Sequence, residues 1–232
     1  MPNQEAEIAV LFDWDGVIVH SAPQHEASWE LLADEEGRKL PPGHFLQGFG
    51  MKNTRIIPEI LKWTDDKDEI MRLSNRKEEL YRGFIRNEGI DLLPGVLPFL
   101  DFLHRHKVPC CVASSTDRKN ILCIMEQTGI TSYFEGIVSA EDVSKGKPDP
   151  EVFMKAAELL SCAPNTCVVI EDAPVGIQAG KAAGMKVLAV QTSHEKEKLK
   201  QADAVLQRLD EMIDENLHKP IQKVFENLFS GG

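Results

Sequence analysis

The chain has 232 residues, 42% hydrophobic and 27% charged, an ordinary composition for a soluble globular protein and enough to bury a core without disulfides. Its formal charge of −11 argues against a general nucleic-acid or anionic-membrane surface, so neither partner is expected. A phosphorylated ligand would need a local cationic site against that background.

The first residues, Met1 to Glu7, are acidic and lack the basic region and apolar stretch of a signal peptide, so a cytoplasmic location is expected. Residues 8–12 (Ile-Ala-Val-Leu-Phe) then form a continuous apolar run, the pattern of a strand buried on both faces. The run ends in Asp13 and Asp15, with Gly16 directly after. Side chains alternate along a strand, so two carboxylates one residue apart point the same way. Such a pair repels unless a cation lies between its members or one holds a proton. Oxygen ligands of this kind suit Mg²⁺, and Gly16 allows a sharp turn.

From about residue 22 to 91 no buried strand is visible. Helical patterns run from His25 to Glu36 and from Lys67 to Arg86, punctuated by Pro41-Pro42-Gly43 and Leu93-Pro94-Gly95. Beyond this insert, apolar runs return at 108–113, 136–138, 167–170 and 186–190. Helical stretches alternate with them at Asp117–Gly129, 150–160 and 174–183. Alternation of this kind predicts a doubly wound, parallel, Rossmann-like α/β sheet. The expected organisation is an α/β core from 1–21 and 92–232, with a small helical cap inserted at 22–91. Five cysteines, an odd number without a Cys-x-x-Cys pair, read as buried free thiols in a reducing compartment. Gly231-Gly232 is expected to be a frayed end.

Ligands of open α/β sheets bind beyond the carboxyl ends of the strands. After the first strand come Asp13 and Asp15; after 108–113 come Ser114, Ser115 and Thr116; after 167–170 come Glu171 and Asp172. The loop after 136–138 holds Lys145 and Lys147. Each group has an ordinary structural reading: hydroxyls cap helices, and a lysine in a Gly- and Pro-rich loop is usually solvated. Their joint placement at one sheet edge favours function. Carboxylates can hold a cation there, while hydroxyls and a lysine offer donors to an anion.

The set Asp13-x-Asp15-Gly16-Val17, Ser114, Lys147-Pro148 and Glu171-Asp172 resembles the four motifs of the haloacid dehalogenase superfamily. The insert after the first motif resembles the helical cap of its phosphatase and β-phosphoglucomutase-like members. The resemblance implies that Asp13 attacks phosphorus to form an aspartyl-phosphate. It implies that Asp15 passes protons to and from the reacting oxygens, and that Ser114 and Lys147 hold the phosphoryl group. Mg²⁺ is the implied cofactor, held by Asp13, Asp172 and the Asp15 carbonyl, with Glu171 acting through a metal-bound water or from the second shell.

The cap is expected to choose the substrate and exclude water. Substrate candidates are Ser115, His25, Gln47, Lys52, Arg76 and Lys77. His25 aligns with a hinge-region histidine of the mutase-like members, and Arg76-Lys77 with a basic cap pair. Met51 stands where those mutases carry an arginine that grips a second phosphate, and Gln47-Gly48 where they carry Lys-Gly. The resemblance therefore implies a Mg²⁺-dependent phosphatase of a small phosphorylated metabolite, with a sugar phosphate in view. A β-phosphoglucomutase-type mutase is the alternative, and a non-catalytic phosphate sensor a third reading. A monomer or weak homodimer is expected.

Overall fold

The computed structural model describes residues 8–48, 51–213 and 224–226. The acidic start and Gly231-Gly232 lie outside them. The chain divides into two compact units, one of Met1–His20 with Asp91–Gly232 and the other of Ser21–Ile90.

In the first unit, strands β1 (Ala9–Phe12), β2 (Cys110–Ala113), β3 (Gly136–Val138), β4 (Cys167–Glu171), β5 (Lys186–Val190) and β6 (Ala204–Leu206) form one sheet. Its order is β3-β2-β1-β4-β5-β6, with every neighbouring pair parallel. The order reverses direction between β1 and β4. That switch point is where loops diverge to opposite faces and leave a crevice. β2 begins two residues later than the apolar run does, because Pro109 has no amide hydrogen to give a ladder; its carbonyl instead accepts from Val10 N at 3.0 Å. β6 is the element that the apolar runs did not disclose. It is a three-residue, half-buried edge strand, too short for a periodic signal.

The central strands are buried on both faces, as their unbroken apolar runs require. One face, carrying Leu11, Cys111, Val169 and Val187, packs with Phe153, Ala156 and Ile177. These come from the helices at Glu151–Leu159 and Pro174–Ala182. On the other face Phe12 meets Phe99, from α5 (Val96–Arg105), and Phe134 edge-on, at centroid distances of 6.1 and 5.6 Å. Phe12 and Phe99 are fully buried, and each stabilises the fold by about 2 kcal/mol. All five thiols are free; four are buried and Cys162 is partly exposed.

The helical unit is built on α1 (Ala22–Glu35) and α4 (Lys67–Glu88), the most extensively packed pair within it. Two short helices, α2 (His44–Gly48) and α3 (Asn53–Arg55), and a π-helical turn at Ile56–Leu61 lie between them. α1 starts three residues before His25 because Pro23 fits the first helical turn. Trp29, Leu32, Ile57, Leu73 and Leu80 fill the unit's own apolar cluster. Among the described residues, no helix is long and apolar enough to cross a membrane.

Candidate active site

The carboxyl end of β1 delivers the first side chain. Asp13 N still donates to Ile170 O at 3.0 Å, so the residue is fixed by the β1–β4 ladder as the chain leaves the sheet. A tight loop follows, closed by Gly16 N on Val19 O at 2.8 Å. Gly16 adopts φ +81 there, a conformation that costs a side-chain-bearing residue dearly. Space is a second constraint: a Cβ on Gly16 would lie 1.9 Å from Asp172 Oδ2. The first glycine thus makes the turn and admits a carboxylate from β4 against the backbone.

β4 ends in the second group. Glu171 and Asp172 are both buried, and Asp172 N and Ala173 N donate to Glu171 Oε2 at 2.9 and 3.0 Å. Behind them Gly176, in α8 (Pro174–Ala182), has the same function as Gly16: a Cβ there would lie 1.6 Å from Glu171 Oε1. Nothing in the spacing of the sequence marked Gly176 as part of the site.

Lys147 joins the two strands. Its ammonium lies 2.8 Å from Asp13 Oδ1 and 2.6 Å from Glu171 Oε1, and 4.9 Å from the centre of the Phe153 ring. Burial opposes a charged lysine, but Asp13 and Glu171 outweigh it and hold the ammonium above its ordinary pKa. Lys145, the competing cation in the loop, instead faces Asp149 at 3.6 Å with its side chain mostly in solvent.

Carboxylate oxygens of Asp13, Glu171 and Asp172 lie within 4.8 Å of one another. Three carboxylates against one ammonium leave two negative charges unmatched, the charge of a divalent cation. Asp172 registers that imbalance. Burial first, then Asp13 and Glu171, push its carboxyl up to about 8, against a hydrogen bond from Ser193 and the charge of Lys147. An all-oxygen donor set with glycines making room beside it fits a hard ion such as Mg²⁺.

The Asp15 side chain stands apart from this cluster. It accepts a hydrogen bond from the Thr116 hydroxyl and is not part of the Asp13–Glu171–Asp172 group. Ser114 is buried at the end of β2; its N–H donates to Val138 O at 2.9 Å and its hydroxyl accepts from Thr116 N at 3.2 Å. The capping of α6 (Arg118–Thr128) falls to neither Ser115 nor Thr116, because Asp117 accepts from Lys119 N at 2.8 Å. Ser115 is exposed. A further group comes from the loop after β5, which the apolar patterning passed over: Thr192 donates to Gly16 O, and His194 Nδ1 lies 3.2 Å from Asp172 O.

Within the helical unit, the candidate cations have partners of their own. Lys77 is buried, with its ammonium 2.5 Å from His25 Nδ1 and 2.9 Å from Glu78, between the rings of Trp29 and Tyr81. His25 stacks on Tyr81, and burial together with the Lys77 charge drives its pKa down to about 3. It is a neutral acceptor at neutral pH. Arg76 forms a fork to Glu35 at 2.7 and 2.9 Å and a further bond to Glu79. Gln47 and Lys52 are exposed. Met51 packs against the unit's apolar cluster, and Arg55 is held by Glu59 through two bonds of 2.8 Å.

Residues 9–184 match a family model described as haloacid dehalogenase-like hydrolase. The chain is 35% identical over 214 residues to 5-amino-6-(5-phospho-D-ribitylamino)uracil phosphatase, chloroplastic, of Arabidopsis thaliana, a match covering 91% of this chain and 57% of that protein. It is 33% identical over 204 residues to hexitol phosphatase A of Escherichia coli, covering 87% and 91%. Among solved structures, β-phosphoglucomutase from Clostridium difficile superposes with a TM-score of 0.78 at 27% identity, over 95% of this chain and 98% of that one.

Proposed function

The chain belongs to the haloacid dehalogenase-like hydrolases, and on that premise we propose that it is a Mg²⁺-dependent phosphatase of a small phosphorylated metabolite, with sugar phosphates as the expected class. One observation carries the reading: Lys147 bridges Asp13 and Glu171 at the switch point of the sheet, beside an acidic cluster short of positive charge. The names of two relatives, both phosphatases of phosphorylated polyol or ribityl compounds, support the substrate class.

In this reading an Asp13 carboxylate oxygen attacks phosphorus. The new O–P bond forms as the ester P–O bond breaks, and the leaving oxygen takes a proton from Asp15. Water then attacks the aspartyl-phosphate, Asp15 accepts its proton, and Asp13 and inorganic phosphate separate. The Thr116 hydroxyl, on the Asp15 carboxylate, orients the group that carries both protons. Ser114 donates to the phosphoryl oxygens, and Lys147 balances the charge of Asp13 and of the incoming phosphate. Asp13, Asp172 and the Asp15 carbonyl would hold Mg²⁺, with Glu171 behind them; when bound, the ion neutralises phosphoryl charge and acts as a Lewis acid.

Hydrolysis is preferred to mutase chemistry because a bisphosphate intermediate needs a second phosphate grip. Met51 is packed into an apolar cluster, and Arg55 already satisfies Glu59. The five free thiols suit a reducing compartment and support a cytoplasmic setting.

The test is phosphate release from a panel of sugar, polyol and nucleotide phosphates with Mg²⁺, against EDTA and Asp13→Asn. Release that both controls abolish is expected. Conversion of β-glucose 1-phosphate to glucose 6-phosphate with little free phosphate would replace the phosphatase by the mutase. Folded protein inactive in both assays would favour the non-catalytic sensor.

A further inference from the structure

The loop that carries Lys147 has little packing of its own. Ser144, Lys145 and Gly146 are exposed, and a Cβ built on Gly146 meets nothing within 4 Å among the described residues. Yet the amine two residues further on is held between two carboxylates at 2.8 and 2.6 Å. Something must fix a polar, solvent-facing loop well enough to place that group.

Glu151, the first residue of α7 (Glu151–Leu159), is the side chain placed to do so. Its carboxylate accepts from Ser144 N at 3.1 Å, from the Ser144 hydroxyl at 2.8 Å and from Lys145 N at 2.9 Å. From the helix side, Lys155 adds an ion pair at 2.8 Å. Asp149 closes the other end, accepting from Glu151 N at 3.1 Å while its own N–H donates to Gly146 O at 3.1 Å. Lys147 lies between these two tethers. Hydrogen bonds to an ionised carboxylate are about twice as strong as neutral ones. Position also favours the anion, since Glu151 sits in the first turn of its helix.

We propose that Glu151 is a positioning residue for the reaction: it fastens the start of the 144–150 loop to the rigid end of α7 and thereby holds the Lys147 amine against Asp13. It touches neither the reacting atoms nor the acidic cluster. This inference rests on the phosphatase reading, and its test separates the two.

Glu151→Ala, Glu151→Gln and Lys155→Ala are compared with the wild type for kcat, KM and melting temperature. Amide exchange of the 144–150 segment is followed alongside. Lys155 contacts the same carboxylate and also donates to Asp142 O at 2.5 Å, ahead of the loop, but bonds no backbone group of residues 144–150 among the described residues. Glu151→Ala should lower kcat by about ten- to a hundredfold, the upper end being the cost of an ångström's misplacement. KM should change much less, and Lys155→Ala should stay within about twofold of wild type. Exchange at Ser144 and Lys145 should accelerate in Glu151→Ala and not in Lys155→Ala. Glu151→Gln, which keeps one accepting oxygen, should fall between. In a double-mutant cycle, Glu151→Ala should add little to the loss already caused by Lys147→Ala. A purely structural role would lower the melting temperature, leave kcat of the folded enzyme intact and add its effect to that of Lys147→Ala. An unchanged kcat, or full additivity in the cycle, overturns the proposal. A wild type that releases no phosphate from any substrate overturns the phosphatase reading instead. The exchange data then still decide the tether: unaltered exchange in Glu151→Ala removes it.

Discussion

In the α/β unit, charge is buried and incompletely matched: Asp13, Glu171 and Asp172 crowd within 4.8 Å around one ammonium. In the helical unit, the guanidiniums of Arg55, Arg72 and Arg76 are exposed, and each is paired with at least one carboxylate. Surface pairs of the second kind contribute little to stability, because solvent screens them and long side chains lose freedom in making them. The buried set costs stability, because carboxylates taken out of water beside one another are only partly offset by the single ammonium. The difference teaches which charges to read as chemistry: those whose neighbours leave them unbalanced.

Two helical glycines offer the sharpest way to break that comparison, one in each unit. Gly176 in α8 has Glu171 Oε1 where its Cβ would lie, at 1.6 Å. Alanine is worth about 1 kcal/mol over glycine in an exposed helix interior, which argues for stabilisation. Overpacking costs about 1–3 kcal/mol, which argues the other way. Glu171, itself buried, could yield only by giving up Lys147 and two N–H donors. The clash therefore wins: Gly176→Ala should lower both the melting temperature and kcat, the latter by at least about tenfold, since Lys147 moves with its partner. Wild-type kinetics from this variant would mean that the carboxylate has room to turn.

The imbalance of charge can be titrated directly. With Asp172 pushed up to about 8 by burial and its acidic neighbours, the metal-free site carries a proton there at neutral pH. Mg²⁺ requires the carboxylate and must displace that proton. Affinity for Mg²⁺ should therefore rise with pH, by up to about tenfold per unit, and level off above about pH 8. Calorimetry in buffers of different ionisation enthalpy would read the released proton, close to one below pH 8 and falling towards none above. Affinity that stays flat from pH 6 to 8 would show that the cluster is already fully ionised.

Much of this site was legible in the chain because strand ends are. An apolar run followed by Asp13-x-Asp15-Gly16 announces a strand, a turn and a cluster at one edge, and Glu171-Asp172 repeats the form. The choice of Lys147 over Lys145 rests on the family resemblance rather than on spacing, since both sit in the same polar loop; in the structure Lys147 lies against Asp13 and Glu171 while Lys145 faces Asp149. Gly176, Ser193 and His194 left no mark in the apolar pattern. They act by admitting or touching another residue's atoms, a relation between segments that periodicity along one segment does not carry. β6 was hidden for a different reason: three half-buried residues are fewer than two turns of any repeat. Thr116 was visible as a hydroxyl before a helix, but only the fold shows that Asp117 takes the cap and frees Thr116 for Asp15.

Gly83 supplies the smaller effect, opposite in sign. It lies inside α4, in the unit whose exposed Arg55, Arg72 and Arg76 are paired, and a Cβ built on it meets nothing within 4 Å among the described residues. No carboxylate occupies its empty space, and its φ is not in the left-handed region. Only the backbone entropy of glycine then bears on the substitution, and alanine lowers it in the unfolded chain. Gly83→Ala should raise the melting temperature by about 1–3 °C and leave kcat unchanged. Paired with Gly176→Ala, the same chemical change in the same secondary structure would move stability in opposite directions. A loss of stability at Gly83, measured by thermal unfolding, would show that its open side is required for something other than packing, and that the contrast between the two glycines is not one of local space alone.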